Sequence, residues 1–306
     1  MNRFILTILA LSFPVLLSGQ MFPLSDHYIY DALNINPAFA GSHDALSATI
    51  LYRNQWVGFD DAPKNQMLSL HAPIYNDKVG LGLFIESNSI GIFKETNIIA
   101  NYAYRIELHN GKLALGLGFG ATVYHSAWNK LVASDPGSDT QLPNNAASSV
   151  LPAFSLGAYY YTSKYFVGFS LPLFLGHDLN ESTGKYRISA RLSGYNYFLS
   201  GGYNLALGSN ITLIPSLLLK YHAGNGVQAD YTAQVNLHDK VWIGAGYRSR
   251  NTIIAILQYQ LNYQIRMGYS CDFETGVLRE YNNGSHEIVL NYTFRYKRLV
   301  KGPRQF

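Results

Sequence analysis

Apolar residues recur at every second position in segment after segment of this chain, and that rhythm confines it to β-sheet whose two faces differ in chemistry. In LALGLGFGATVY, residues 113–124, one face carries Leu113, Leu115, Leu117, Phe119, Ala121 and Val123, and the other Ala114, Gly116, Gly118, Gly120 and Thr122. In EIVLNYTFRY, Ile288, Leu290, Tyr292, Phe294 and Tyr296 oppose Glu287, Asn291, Thr293 and Arg295. In QADYTAQVNL, Ala229, Tyr231, Ala233, Val235 and Leu237 oppose Gln228, Asp230, Thr232, Gln234 and Asn236. NIIANYAYRI sets Ile98, Ala100, Tyr102, Tyr104 and Ile106 against Asn97, Asn101 and Arg105. Helical periodicity is convincing nowhere.

The rhythm predicts about fourteen strands, near 46–54, 66–74, 79–88, 95–107, 111–126, 152–162, 164–172, 187–205, 209–222, 227–237, 240–248, 252–260, 263–273 and 285–297. The eighth changes phase around Gly194, where a bulge would reconcile Ile188, Ala190 and Leu192 with Tyr195, Tyr197 and Leu199. Even-numbered connections are tight, as at Asn76 and Asp77, Asn110 and Gly111, or His238 and Asp239. Most odd-numbered ones are longer: Asn54 to Asn65, Ser87 to Lys94, Ala127 to Leu151, Leu173 to Tyr186 and Glu274 to Gly284.

A soluble sandwich also alternates, but its strands average ~5 to 6 residues. Strands of ~9 to 11 residues, an even count and short turns alternating with long loops describe a transmembrane β-barrel, apolar outside and polar within. Composition agrees, with 24 Tyr, 16 Phe and 27 Gly beside only 14% charged residues. Closure is compulsory, because an open edge in hydrocarbon would leave a row of backbone groups unpaired at several kcal/mol each. The inward set contains Arg53, Arg105, Arg187, Arg191, Lys220, Arg248, Arg266 and Arg295, with Glu86, Glu107, Asp230, Asp272 and Glu287 to pair them. Such charges are tolerable in a lumen and costly against lipid. The bare inner face at Gly116, Gly118 and Gly120 either lets the strand curve or lets something pack closely against it. A phosphate loop is excluded, because these glycines keep strict period two within one strand.

Residues 1–20, MNRFILTILALSFPVLLSGQ, read as a secretory signal peptide cleaved near Gln20. The apolar run is shorter than the ~20 residues of a spanning helix and contains Pro14. Residues 21–45 then form an N-terminal segment, in the periplasm or folded up into the lumen. The barrel occupies 46–297 and a periplasmic tail 298–306. Cys271 is the sole cysteine, which excludes an intramolecular disulfide framework, and it falls on the lipid-facing set. A formal charge of +4 is too small and scattered for nucleic acid. Nine histidines show no metal-ligand spacing, no serine sits in a nucleophile elbow, and no cofactor is implied. Aromatic clusters such as Tyr159 to Tyr161 fit interface girdles.

NINPAFAGSHD followed by YRNQWVGFDDAPKNQMLSLHAPI resembles the PorP/SprF family of type IX secretion system outer-membrane proteins of Bacteroidetes. VGLGLFIESNSIG, NYAYRI, LALGLGFG, VGFSLP, IPSLLLKY, VWIGAGYR, GYSCDF and HEIVLNYTF continue it along the mature chain. The more specific parts are Asn-Pro-Ala-x-Ala-Gly at Asn36 to Gly41, with Pro37, and Arg-x-x-x-x-Gly from Arg53 to Gly58, with Trp56. The resemblance implies a non-catalytic barrel in the cell outer membrane. Its implied partners are type IX periplasmic ring or peptidoglycan-linked components and a large secreted adhesin with a type IX C-terminal domain, in secretion or gliding motility.

Asn36, Pro37, Gly41, Arg53, Trp56 and Gly58 are therefore candidate plug or partner-binding residues. Arg105, Arg191, Arg266, Arg295, Glu287 and Asp272 are candidate lumen charges. Two readings of NPAFAG stand: it belongs to a segment that threads into the lumen and pairs with the arginines there, or it is a tight turn leading into the first strand. A channel for small solutes is the alternative function.

Overall fold

The computed structural model describes residues 25–43, 45–74, 77–130, 146–174, 176–180, 183–189, 194–249 and 251–294. Its strands are β1 (Leu46–Asn54), β2 (Lys64–Ile74), β3 (Val79–Ile90), β4 (Phe93–Leu108), β5 (Gly111–Ser126), β6 (Ala147–Tyr161), β7 (Tyr165–Leu171), β8 (Gly176–Asn180), β9 (Lys185–Ser189), β10 (Asn196–Tyr203), β11 (Leu205–Ala206), β12 (Ile211–His222), β13 (Gly226–Leu237), β14 (Val241–Arg248), β15 (Thr252–Gln260), β16 (Ile265–Glu274) and β17 (Ser285–Phe294). Every pairing is antiparallel; β1 pairs with β17, and β10 with β12, so the sheet closes on itself. The two-residue β11 continues the edge of β10 along β12, and β8 pairs only with β9, which leaves a wall of fourteen strands.

Alternation decides the faces. Leu117 and Phe119 expose 57% and 64% of their surface, while Ala114 and Thr122, on the same strand, expose none. Ile50, Tyr231, Leu257 and Ile288 continue the apolar exterior. Tight turns at Asp77–Lys78, His109–Asn110, His238–Lys240 and Leu261–Gln264 gather at one end, which marks it as periplasmic. Among the described residues no helix is long and apolar enough to cross a membrane; the strands do the crossing.

Four expectations need correction. The connection at Ser87–Lys94 is not a long loop: β3 and β4 run on to a turn at Gly91–Ile92, where Gly91 takes φ +55°. The predicted strand 187–205 is two pieces. Lys185–Ser189 belongs to the β8–β9 hairpin, and Asn196–Tyr203 to the wall, so the phase change at Gly194 marks the chain returning to the sheet rather than a bulge. Arg187 accordingly lies exposed on that hairpin, outside the lumen wall, and Glu107 is exposed beside the periplasmic turn. Cys271 keeps its outward register but is buried among its neighbours.

The rim is uneven. At 3.4 Å per residue and a ~40° tilt, sixteen-residue β4 and β5 rise ~41 Å along the membrane normal, against an apolar band of ~25 Å, whereas nine-residue β1 rises only ~23 Å. The β8–β9 hairpin leans on the inner face of the tall side. Tyr186 stacks on Tyr124 of β5 at 3.9 Å, and His177 meets the Tyr124 hydroxyl at 3.0 Å.

Candidate functional site

Residues 25–43, SDHYIYDALNINPAFAGSH, lie inside the barrel, and nearly all of them are buried. Their local shape follows from two capping side chains. Asp31 Oδ1 accepts from the Leu33 N–H (3.1 Å) and starts a one-turn 3-10 helix at Ala32–Asn34. Asn36 Oδ1 accepts from the Ala38 N–H (2.9 Å) and starts a second at Pro37–Phe39, where Pro37 supplies a preset φ at a position whose N–H would be unsatisfied anyway.

The wall is shaped to receive this chain. A Cβ on Gly116 would overlap the Ala38 backbone, one on Gly80 the Ala40 carbonyl, and one on Gly157 the Asn36 side chain. The glycines of the bare inner face therefore mark close approach of a second backbone, although Gly118 and Gly120 make room for neighbouring strands instead. Asn36 Nδ2 donates to the carbonyls of Ala158 (3.0 Å) on β6 and Phe169 (3.3 Å) on β7. Ser170 Oγ donates to the Ile35 carbonyl at 2.5 Å. Gly41 takes φ +73° and donates its N–H to His71 Nδ1, beyond which the chain reaches β1.

At the other end the segment is held by charge. Asp26 accepts from Arg53 (2.6 Å), Arg248 (2.7 Å) and Ser270 (2.8 Å). Arg53 and Arg248 also reach Asp272, at 2.5 and 2.9 Å, and Arg248 and Lys220 reach Asp230, at 3.2 and 2.8 Å. Glu287 takes Arg53 (3.2 Å), His27 Nδ1 (2.6 Å) and Ser25 Oγ (2.8 Å), together with the backbone N–H of Asp26 (3.1 Å). Burial alone would raise the Asp26 carboxyl, but the guanidiniums of Arg53 and Arg248 outweigh it and hold the group far below the usual carboxylate range. Four carboxylates thus meet three fixed cations, and the imidazole of His27 faces the fourth carboxylate.

These partners sit near the outer ends of β1, β12, β13, β14, β16 and β17. Toward the periplasmic end, Arg266 stacks between Tyr30 (4.2 Å) and Trp242 (3.5 Å), and the Tyr30 hydroxyl donates to Asn291 (2.7 Å). In nineteen residues the segment crosses the lumen from its outer to its periplasmic end.

The predicted residues therefore divide. Asn36, Pro37 and Gly41 lie in the lumen segment; Arg53, Asp272 and Glu287 form the ionic cluster. Arg105 is buried near the periplasmic end, where it donates to the Val79 carbonyl (3.2 Å). Arg191 and Arg295 lie outside the described residues. Trp56 and Gly58 serve the outer rim: Trp56, at φ +50°, donates its N–H to Ser285 Oγ, and Val57 donates its N–H to the Gly284 carbonyl while its own carbonyl accepts from the Asn283 N–H, which ties the 55–63 loop to the 275–284 loop. Asp26 and His27 were not among the predicted residues. Their signal was present in SDHY, an acid and an imidazole a few residues beyond the predicted signal peptide, but the depth they reach is set by the barrel and not by local sequence.

Among the described residues no three His, Cys, Asp or Glu side chains converge to hold a metal. What the arrangement does physically is occupy the lumen with backbone and fix it there by ion pairs.

No curated protein matches the sequence. Among solved structures, the chain is similar to the Acinetobacter baumannii outer membrane protein Omp33, at 8% identity and TM-score 0.48, over 84% of this chain and 100% of that one. It is similar to a Pseudomonas aeruginosa FadL homologue, at 12% identity and TM-score 0.45, over 91% and 96%. It is also similar to the CymD monoaromatic hydrocarbon channel, at 12% and 0.47, over 91% and 95%. Residues 17–292 match the family described as type IX secretion system membrane protein PorP/SprF. This outer-membrane β-barrel belongs to the PorP/SprF family of type IX secretion system membrane proteins.

Proposed function

We propose that the protein serves type IX export as a filled barrel: an anchoring or assembly platform for surface proteins with type IX C-terminal domains, with residues 25–43 acting as its plug. The observation that carries this reading is the lumen segment itself, pinned through Asp26 at one end and seated on Gly80, Gly116 and Gly157 at the other. A barrel obstructed in this way is suited to holding partners on both sides of the membrane and unsuited to free diffusion. The periplasmic end would meet ring or peptidoglycan-linked components, and the outer loops a large exported adhesin.

Two measurements test it. Affinity isolation of the tagged protein from its own outer membranes should recover periplasmic secretion components or a surface adhesin. In planar bilayers the intact chain should conduct poorly, and deletion of residues 21–40 should raise single-channel conductance several-fold. Recovery of the barrel alone, with solute-dependent conductance by the intact chain, would instead make it a channel.

A further inference from the structure

Between the lumen segment and the outer rim lies a partly open cavity with about 50 Å³ of room for water-sized groups. Leu33, Ile35 and Pro37 line its periplasmic side, and Glu86 and Glu95 stand toward the outer ends of β3 and β4. Phe84, Ile99 and Phe198 give it apolar walls.

Two carboxylates face this space, Glu86 on β3 and Glu95 on β4. They converge: Asn97 Nδ2 stands 2.8 Å from Glu95 Oε1 and 3.4 Å from Glu86 Oε2. Asn65 Nδ2 donates a further bond to Glu86 at 2.6 Å. These amides meet part of the hydrogen-bonding capacity and none of the charge. Among the described residues no Lys, Arg or His pairs with either carboxylate, whereas every carboxylate of the Asp26 cluster has a basic partner. Asn34 Oδ1, an atom of another residue lining the cavity, is buried with no hydrogen-bond partner. The unmet demand is therefore for a donor that carries positive charge, next to walls that suit methylene groups.

We propose that this cavity receives the basic side chain of a polypeptide arriving from the cell exterior, its stem against Phe84, Ile99 and Phe198 and its charged head between Glu86 and Glu95. Lysine and arginine have this division into an apolar stem and a charged tip, and a charge-assisted bond to carboxylate is about twice as strong as a neutral one. The site goes beyond the platform reading and does not depend on it, since a channel with the same vestibule would bind in the same way.

The test uses the full mature chain in detergent and two capped pentapeptides, Gly-Ser-Lys-Ser-Gly and its norleucine counterpart, titrated by calorimetry at low salt. The lysine peptide should bind saturably and at least about tenfold more tightly than the norleucine peptide. The Glu86→Gln/Glu95→Gln double variant should reduce that preference to below about threefold. Equal affinities on the wild-type chain overturn the proposal without recourse to the variant, should the variant not fold. Preference retained in a folded double variant also overturns it, as does calcium chloride saturating the site while the wild-type chain shows no preference for lysine.

Discussion

Asp26 decides the charge balance of the lumen, because it is the acid that the lumen segment brings to the two guanidiniums of the wall. Removing one partner of a buried ion pair costs about 3–5 kcal/mol, since the remaining charge stays desolvated. Asp26→Ala should therefore unseat the outer end of the segment, seen as higher and noisier bilayer conductance, with the barrel still folded by heat-modifiable gel mobility. Its pH dependence has a definite sign. The folded carboxyl lies below its unfolded value of about 3.9, so its contribution is complete above that pH and is lost as the pH falls further. Conductance of the wild-type chain should stay low from pH 8 to 5 and rise below about pH 4, and Asp26→Ala should abolish that rise. A rise centred near pH 6 in the wild type would take the latch away from Asp26.

Along one strand, two faces answer to two solvents. β5 shows lipid Leu115, Leu117 and Phe119, and shows the lumen segment Gly116, so neighbouring positions should respond oppositely to substitution. Gly116→Val places a branched side chain where Ala38 lies, and overpacking of that kind costs about 1–3 kcal/mol or displaces the segment. Raised conductance in Gly116→Val, with none in Leu117→Ala, is the expected outcome. The period-two pattern made both faces of this strand legible before any coordinates, and even allowed for close packing against the glycines. Which backbone comes close was not legible, because Gly116 and Ala38 are far apart in sequence and meet only through closure of the sheet. The same limit explains the split of the predicted eighth strand: alternation in residues 187–192 says β-hairpin as readily as wall, and the stacking of Tyr186 on Tyr124 decides between them only in three dimensions. Loop length misled at Ser87–Lys94, where polar residues suggest a loop and yet stand above the membrane as extended strand.

For the whole molecule, the sequence conveyed closure, strand number and polarity well, since each follows from the physics of an apolar band. Orientation can be checked directly. In a Cys271→Ser background, Val277→Cys, on the outer 275–284 loop and 83% exposed, should react with an impermeant maleimide on intact cells, while His109→Cys should react only after lysis. The reverse pattern would invert the barrel. The uneven rim has one more consequence. A barrel of constant height looks the same from every direction in the plane of the membrane, but this one carries a parapet over β4 to β6 and a low sill along β1 and β14 to β17. A partner outside the cell meets a compass bearing as well as a surface: from the low side it can lean over the mouth, and from the high side it meets a wall. A complex built on this rim would be set in azimuth as well as in height.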